Sequence, residues 1–252
     1  MKAVAKALAG GSVSRVLPQC RFETSLFLIG HMRCGSTALS AILCSRPDTS
    51  GYGEAHIAYT DRAALGVLAL NQMRRGAWTG SATTLFDKIL HSRYDGDACP
   101  AFFSARALFM ARAPLPAIRS IRHLFAKLGS GEYATDAVAA DYYQHRLETM
   151  LCLWPQFSAD RRVACTYEAL TANPDGVLAA ISVGLSLQPA LVNRYTIKAA
   201  ASARGAGDPL SASRHTQIVA AREEGNTGPQ LDLTQPRIDE LNRVYREFCE
   251  RA

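Results

Sequence analysis

The residues with the plainest chemical meaning lie early in the chain: Gly30, His31, Met32, Arg33, Cys34, Gly35, Ser36 and Thr37 in succession. The apolar run over 25–30 ends in Gly30 and reads as a buried parallel strand. From Ser36 onward, Thr37, Leu39, Ala41, Ile42 and Leu43 recur at helical spacing, and the helix must stop before Pro47. A strand that turns through glycine straight into a helix aims free amides and the positive helix end at one point. Such a turn cradles an anion. Gly35 lets the backbone approach a ligand closely, and the Ser36 and Thr37 hydroxyls add donors. Gly30 to Gly35 has the spacing of the nucleoside triphosphatase loop, but Ser36 stands where that loop carries lysine. The fixed cation is Arg33 instead. The same stretch also reads as a plain strand–turn–helix with glycine for the bend.

The loop resembles the 5'-phosphosulfate loop of sulfotransferases that use 3'-phosphoadenosine 5'-phosphosulfate (PAPS). Arg33-Cys34-Gly35-Ser36-Thr37 matches it, with Met32 where the family commonly has proline and Cys34 where it has a smaller residue. The resemblance implies that this whole loop, Cys34 included, binds the cofactor. Arg33 then meets the bridging and sulfuryl oxygens, while Gly35, Ser36 and Thr37 hold the 5'-phosphate. A second family signature, an arginine with a serine eight positions on, is matched by Arg112 and Ser120, with Ala113 in place of the usual aspartate before Pro114. That pair is implied to grip the 3'-phosphate. The physics agrees, since an arginine at a strand's carboxyl end and a serine two helical turns on can reach one phosphate. A third echo, Tyr167-Glu168-Ala169-Leu170 before Asn173-Pro174, is structural in that setting, so packing is expected of Tyr167. A fourth resembles a C-terminal loop closing over the nucleotide; it makes Arg204 and Arg214 candidates for the 3'-phosphate or adenine, or else solvated loop charges.

Sulfuryl transfer needs an in-line acceptor, charge stabilisation and a base for the hydroxyl proton. No metal is required where arginine and backbone amides neutralise the oxygens. Glu54 and His56 follow the helix after the loop. The family's tyrosylprotein branch and several bacterial groups use a glutamate base, and Arg46-Pro47-Asp48 with Gly53-Glu54 resembles their pattern. Glu54 is therefore the expected base, His56 the runner-up and His31 a third candidate. The implied acceptor is a hydroxyl on a glycan, a lipid-linked sugar, a phenol or a peptide tyrosine. Trp78, Tyr94, Phe102 and Phe103 are candidate pocket residues or core packing. A kinase-like phosphotransferase and a non-catalytic nucleotide-binding module are the competing readings.

The elements that must hold these groups alternate strand and helix, which predicts an α/β fold of the P-loop type: three layers, with a central, mainly parallel sheet flanked by helices. Further strands are expected over 106–111 and 161–166. Helices are expected over 60–75, 82–92, 116–128, 135–152, 174–185 and 234–250, and a loop over 199–216. All 252 residues read as a single domain, with 1–22 as a flexible N-terminus or a targeting segment. The net charge of +6, with arginine far outnumbering lysine, suits anionic ligands; no dense basic run points to nucleic acid. Seven scattered cysteines without a Cys-x-x-Cys pair suggest neither a disulfide framework nor a zinc site, and hence a reducing, cytoplasmic setting. No apolar run approaches the ~20 residues of a membrane span.

Overall fold

The computed structural model describes residues 2–196, 215–219 and 230–252. Its centre is a five-stranded sheet, every pairing parallel, in the order β2-β3-β1-β4-β5. The strands are β1 (Leu26–Gly30), β2 (Thr49–Ser50), β3 (Thr84–Ile89), β4 (Arg106–Ala111) and β5 (Arg162–Thr166). Leu26 of β1 pairs with Phe86 on one side and Arg106 on the other. Side chains alternate across the pleat, so Leu26 and Leu28 enter one core and Phe27 and Ile29 the other. The first core is closed by α2 (Ser36–Cys44) and α8 (Pro174–Gly184). The second is closed by α3 (Ala63–Arg74), α5 (Pro114–Lys127), α6 (Asp136–Leu153) and α9 (Gln235–Cys249). Two short helices, α4 (Ser92–Asp95) and α7 (Tyr167–Ala172), follow β3 and β5.

The predicted strands at the first loop and over 106–111 and 161–166 match β1, β4 and β5 closely, and six of the seven expected helices lie within a few residues of their places. The stretch 82–92 is different: a helix is expected there, and the chain forms β3. All six residues of β3 are buried, so its apolar side chains lack the period-two alternation of a half-exposed strand. Asp87 and Lys88 interrupt the run and leave Leu85, Ile89 and Leu90 at a spacing that imitates a helix. Both charges are accommodated by partners outside the strand, described below.

Residues 1–22, expected as a flexible terminus, include helix α1 (Lys2–Val16). It packs on α3 where Gly10 meets Gly66. A Cβ added to Gly66 would lie 1.9 Å from the Gly10 carbonyl oxygen, so only hydrogen fits there. No described helix is long and apolar enough to cross a membrane. Gly66→Val should push α1 off α3 and cost about 1–3 kcal/mol of stability. Denaturant unfolding together with faster amide exchange in α1 would register it; unchanged exchange in α1 would contradict the assigned contact.

Candidate functional site

Strands β1, β3 and β4 end side by side, and the loop after β2 joins them at the same edge. In an open parallel sheet this carboxyl edge, where successive connections run to opposite faces, is where ligands bind. The loop after β1 leaves Gly30, turns through Arg33 (φ 65°) and Gly35 (φ 89°), and enters α2 at Ser36. Positive φ is costly for arginine and free for glycine. Gly35 is needed for a second reason: a Cβ there would stand 2.5 Å from the Tyr167 ring. No side chain caps α2, so its first amides remain available to an anion.

The turn is braced from behind. The Met32 amide donates to the Tyr142 hydroxyl at 2.8 Å, which donates in turn to the Leu90 carbonyl. His31 is fully buried; its Nδ1 faces the Met32 carbonyl at 2.8 Å, and its Nε2 accepts from the Arg112 amide at 3.0 Å. Those bonds define a neutral imidazole with the proton on Nδ1. Burial, with Arg112 and Arg146 nearby, pushes its pKa down to about 4. With both ring nitrogens held by the backbone, His31 is a strut and not the base that its position in the sequence suggested.

Arg33, Arg112 and Ser120 lie together, but the side-chain partner of Ser120 is Arg33 rather than the Arg112 with which it was expected to act. Arg33 Nε donates to Ser120 Oγ at 2.9 Å, and Arg112 Nη1 reaches the Arg33 carbonyl at 3.5 Å. The Arg112 guanidinium lies 4.2 Å from the centroid of the Tyr167 ring, so Tyr167 does more than pack: it shelves this cation beside Gly35. Among the described residues, Arg112 Nε is buried without a hydrogen-bond partner. A buried donor left unpaired costs free energy, and an incoming oxyanion would satisfy it. Glu168 fixes the neighbouring chain, accepting from the Ala113 amide and from the Tyr245 hydroxyl of α9. Arg204 and Arg214 lie outside the described residues.

The second half of the site is Glu54, His56 and a residue that sequence reasoning missed. Lys88 of β3, its side chain only 2% exposed, sends its ammonium to within 3.4 Å of Glu54 Oε1 and 3.5 Å of Thr37 Oγ1. The loop after β1 carries no lysine of its own, and the neighbouring strand places one beside it. His56 Nδ1 lies 3.8 Å from the other Glu54 oxygen. Asp87 anchors this half: one oxygen accepts from the Ala55 and Lys88 amides, both at 2.8 Å, and the other from the Tyr59 hydroxyl at 2.7 Å. Burial, with the Glu54 charge adding to it, raises the Asp87 pKa to about 7. A charged pair inside the apolar run Leu85-Phe86-Asp87-Lys88-Ile89-Leu90 was the available signal.

Of the aromatic candidates, Tyr94 alone stands here, its ring 5.6 Å from His56 and 6.2 Å from His91. His91 was not foreseen; burial and the Arg93 and Arg146 charges lower its pKa to about 4. Phe102 is fully buried among Phe22, Phe27, Tyr59 and Phe157, and Phe103 packs on Phe102 and Phe157 before β4 begins. Trp78 sits in the connection leading into β3. All three belong to the amino end of the sheet. That end also carries a cavity lined by Arg106 and Arg161, but these arginines are spent on Thr84 and on the carbonyls of Thr24, Glu23 and Ser104.

No protein-family model matches the chain, and no curated protein matches it in sequence. Solved structures do. The sulfotransferase domain of the Synechococcus PCC 7002 olefin synthase superposes with a TM-score of 0.62 at 20% identity, covering 88% of this chain and 94% of that one. The sulfotransferase domain from the curacin biosynthetic pathway gives 0.56 at 17% identity, with 91% and 98% covered. A sulfotransferase from Mycobacterium avium gives 0.50 at 13%, with 96% and 81% covered. The chain therefore has the α/β fold that sulfotransferase domains have.

Because the folded state holds His31 neutral, its stabilising contribution is complete above about pH 6.5 and is lost as pH falls toward about 4. Asp87 acts with the opposite sign, its contribution fading as pH rises toward about 7. Comparing wild type with His31→Asn cancels Asp87. The wild type should lose up to about 3 kcal/mol more than the variant across that acid window in urea titrations; parallel profiles would show that His31 is not held neutral.

Proposed function

We propose that the protein is a sulfotransferase that moves the sulfuryl group of PAPS to a hydroxyl acceptor. The observation that carries this reading is the meeting at one sheet edge of Arg33, Arg112, Ser120 and the uncapped start of α2 with the Glu54–Lys88 pair. The fold shared with sulfotransferase domains supports it. The buried, unpaired Arg112 Nε fits a dianionic group such as the 3'-phosphate.

In this mechanism the amides of Gly35, Ser36 and Thr37 hold the 5'-phosphate at the helix start. Arg112 and Ser120 hold the 3'-phosphate, and Arg33 bridges the two grips. Glu54 accepts the acceptor's hydroxyl proton as its oxygen bonds to sulfur. The bond from sulfur to the bridging oxygen breaks, and that oxygen leaves with the electron pair on adenosine 3',5'-bisphosphate. Lys88, beside Thr37, meets the negative charge gathering on the departing oxygen. Its ammonium also stands 3.4 Å from Glu54 Oε1 and holds that carboxylate in place. His56 stands behind Glu54 as the alternative base. The acceptor is a hydroxyl compound entering past Tyr94. The seven cysteines are free, which suits the reducing, cytoplasmic setting in this reading.

Lys88 gives the kinase-like alternative a specific point in its favour, because it restores a lysine to the loop. Incubation with ATP and Mg²⁺ separates the two: phosphoryl transfer would replace the sulfotransferase reading. Adenosine 3',5'-bisphosphate should bind in calorimetry and labelled PAPS should yield a sulfated product from an acceptor panel; binding without transfer would favour the non-catalytic module. Glu54→Ala should lower kcat by roughly two to four orders while nucleotide affinity changes little. Glu54→Gln, which keeps a partner for the Lys88 ammonium, should be equally impaired. Arg112→Ala should instead weaken nucleotide binding. Near-normal turnover in both Glu54 variants would remove Glu54 as the base.

A further inference from the structure

Arg146 is the largest fully buried side chain among the described residues, and it lies on α6 one turn beyond Tyr142. Its guanidinium makes a two-pronged pair with Asp95, at 2.6 and 2.8 Å, and Asp95 is itself fully buried. The remaining donors go to backbone: Nε to the Gly30 carbonyl at 2.8 Å and Nη2 to the Ile89 carbonyl at 3.0 Å. Gly30 is the last residue of β1 and Ile89 the last of β3. The β1–β3 ladder ends with Ile29 opposite Ile89, and beyond it the strands diverge toward the phosphate loop on one side and α4 on the other. Carbonyls at such a fork have lost their ladder partners, and water does not reach them. One guanidinium serves both.

A buried ion pair is a poor device for stability alone, because desolvation consumes most of what the Coulomb attraction supplies, and apolar replacements are often neutral or better. What Arg146 provides is geometry. It fixes how far apart β1 and β3 stand where they part, and those strands carry the two halves of the site: the phosphate loop begins at Gly30, and Lys88 precedes Ile89. Two neighbours on the same helix extend the pattern. Tyr142 joins Met32 to Leu90, and the Tyr143 hydroxyl donates to the Arg112 carbonyl at 2.8 Å. Three side chains from adjacent turns of α6 thus engage the carboxyl ends of β1, β3 and β4.

We propose that Arg146, oriented by Asp95, is a positioning residue that sets the separation between the phosphate loop and the Lys88–Glu54 pair by holding the Gly30 and Ile89 carbonyls at the fork of β1 and β3. The catalytic part of this statement rests on the sulfotransferase reading; the geometric part does not. The test uses the full-length chain carrying Arg146→Met with Asp95→Leu, which replaces the pair by apolar side chains, and Arg146→Lys, which keeps the charge and loses the fork. Two readouts are taken on each. Amide exchange over 31–37 and 84–91 should speed up at least tenfold in the double variant, with exchange in α8 unchanged. Turnover with PAPS should fall at least tenfold while the Kd for adenosine 3',5'-bisphosphate moves less than threefold, and Arg146→Lys should lie between the double variant and wild type on both measures. Local exchange equal to wild type, or slowing of turnover matched by a general rise in exchange throughout the chain, would overturn the proposal. If wild type neither binds the nucleotide nor transfers sulfate, the sulfotransferase reading falls, and the exchange comparison still decides the positioning role. Should the double variant fail to fold, Arg146→Lys carries the same comparison alone.

Discussion

The site depends on what happens where a parallel sheet stops. Inside the sheet every backbone donor and acceptor has a ladder partner; past the last rung the strands splay, and those groups must find others. Here β1 parts from β3 after Ile29 and from β4 one residue later, and the fork is a small, buried region rich in amides and carbonyls. Side chains of α6 take up part of that surplus from the rear: Tyr142 at Met32 and Leu90, Arg146 at Gly30 and Ile89, Tyr143 at Arg112. What stays unclaimed at the front, the first amides of α2 and the Nε of Arg112, is what an anion can use.

Cations gather at this fork although burial disfavours them. Arg33 and Arg112 are half-buried, and Lys88 is almost fully enclosed with Glu54 as its counter-charge. The arrangement is tolerable because each charge is hydrogen-bonded or stacked: Arg33 on Ser120, Arg112 on Tyr167, Lys88 between Glu54 and Thr37. Such a site is held rigid by the same contacts that compensate for desolvation, and a rigid cluster of cations does not need to reorganise as negative charge develops.

Much of this was legible in the residues. The turn from Gly30 to Thr37 announces itself through glycine spacing and the helical pattern beyond it, a local rule that holds before tertiary structure is known, whereas Arg112 with Ser120 was singled out by the resemblance to a sulfotransferase signature. Glu54 was singled out by its place just past the helix after that turn together with the resemblance of Arg46-Pro47-Asp48 and Gly53-Glu54 to a glutamate-base pattern. Lys88 was not, because β3 is buried on both faces and so shows no alternation, and a lysine is the last residue expected inside such a strand. The helical character of Lys2–Val16 was hidden for the opposite reason. Gly10 and Gly11 count against a helix in isolation, yet Gly10 is what allows the close crossing with Gly66. In both places a long-range contact overruled local preference.

The carboxylate of Asp87 binds the amide of Ala55 and the amide of Lys88 through a single oxygen atom. Glu54 and Lys88 therefore hang from one peg. A disturbance that tilts β3, such as a remote substitution or the entry of a bulky ligand, carries both ends of the ion pair in the same direction. Their mutual distance is insulated from the sheet's twist. Sequence drift in the outer helices can thus proceed without moving one member of the pair relative to the other.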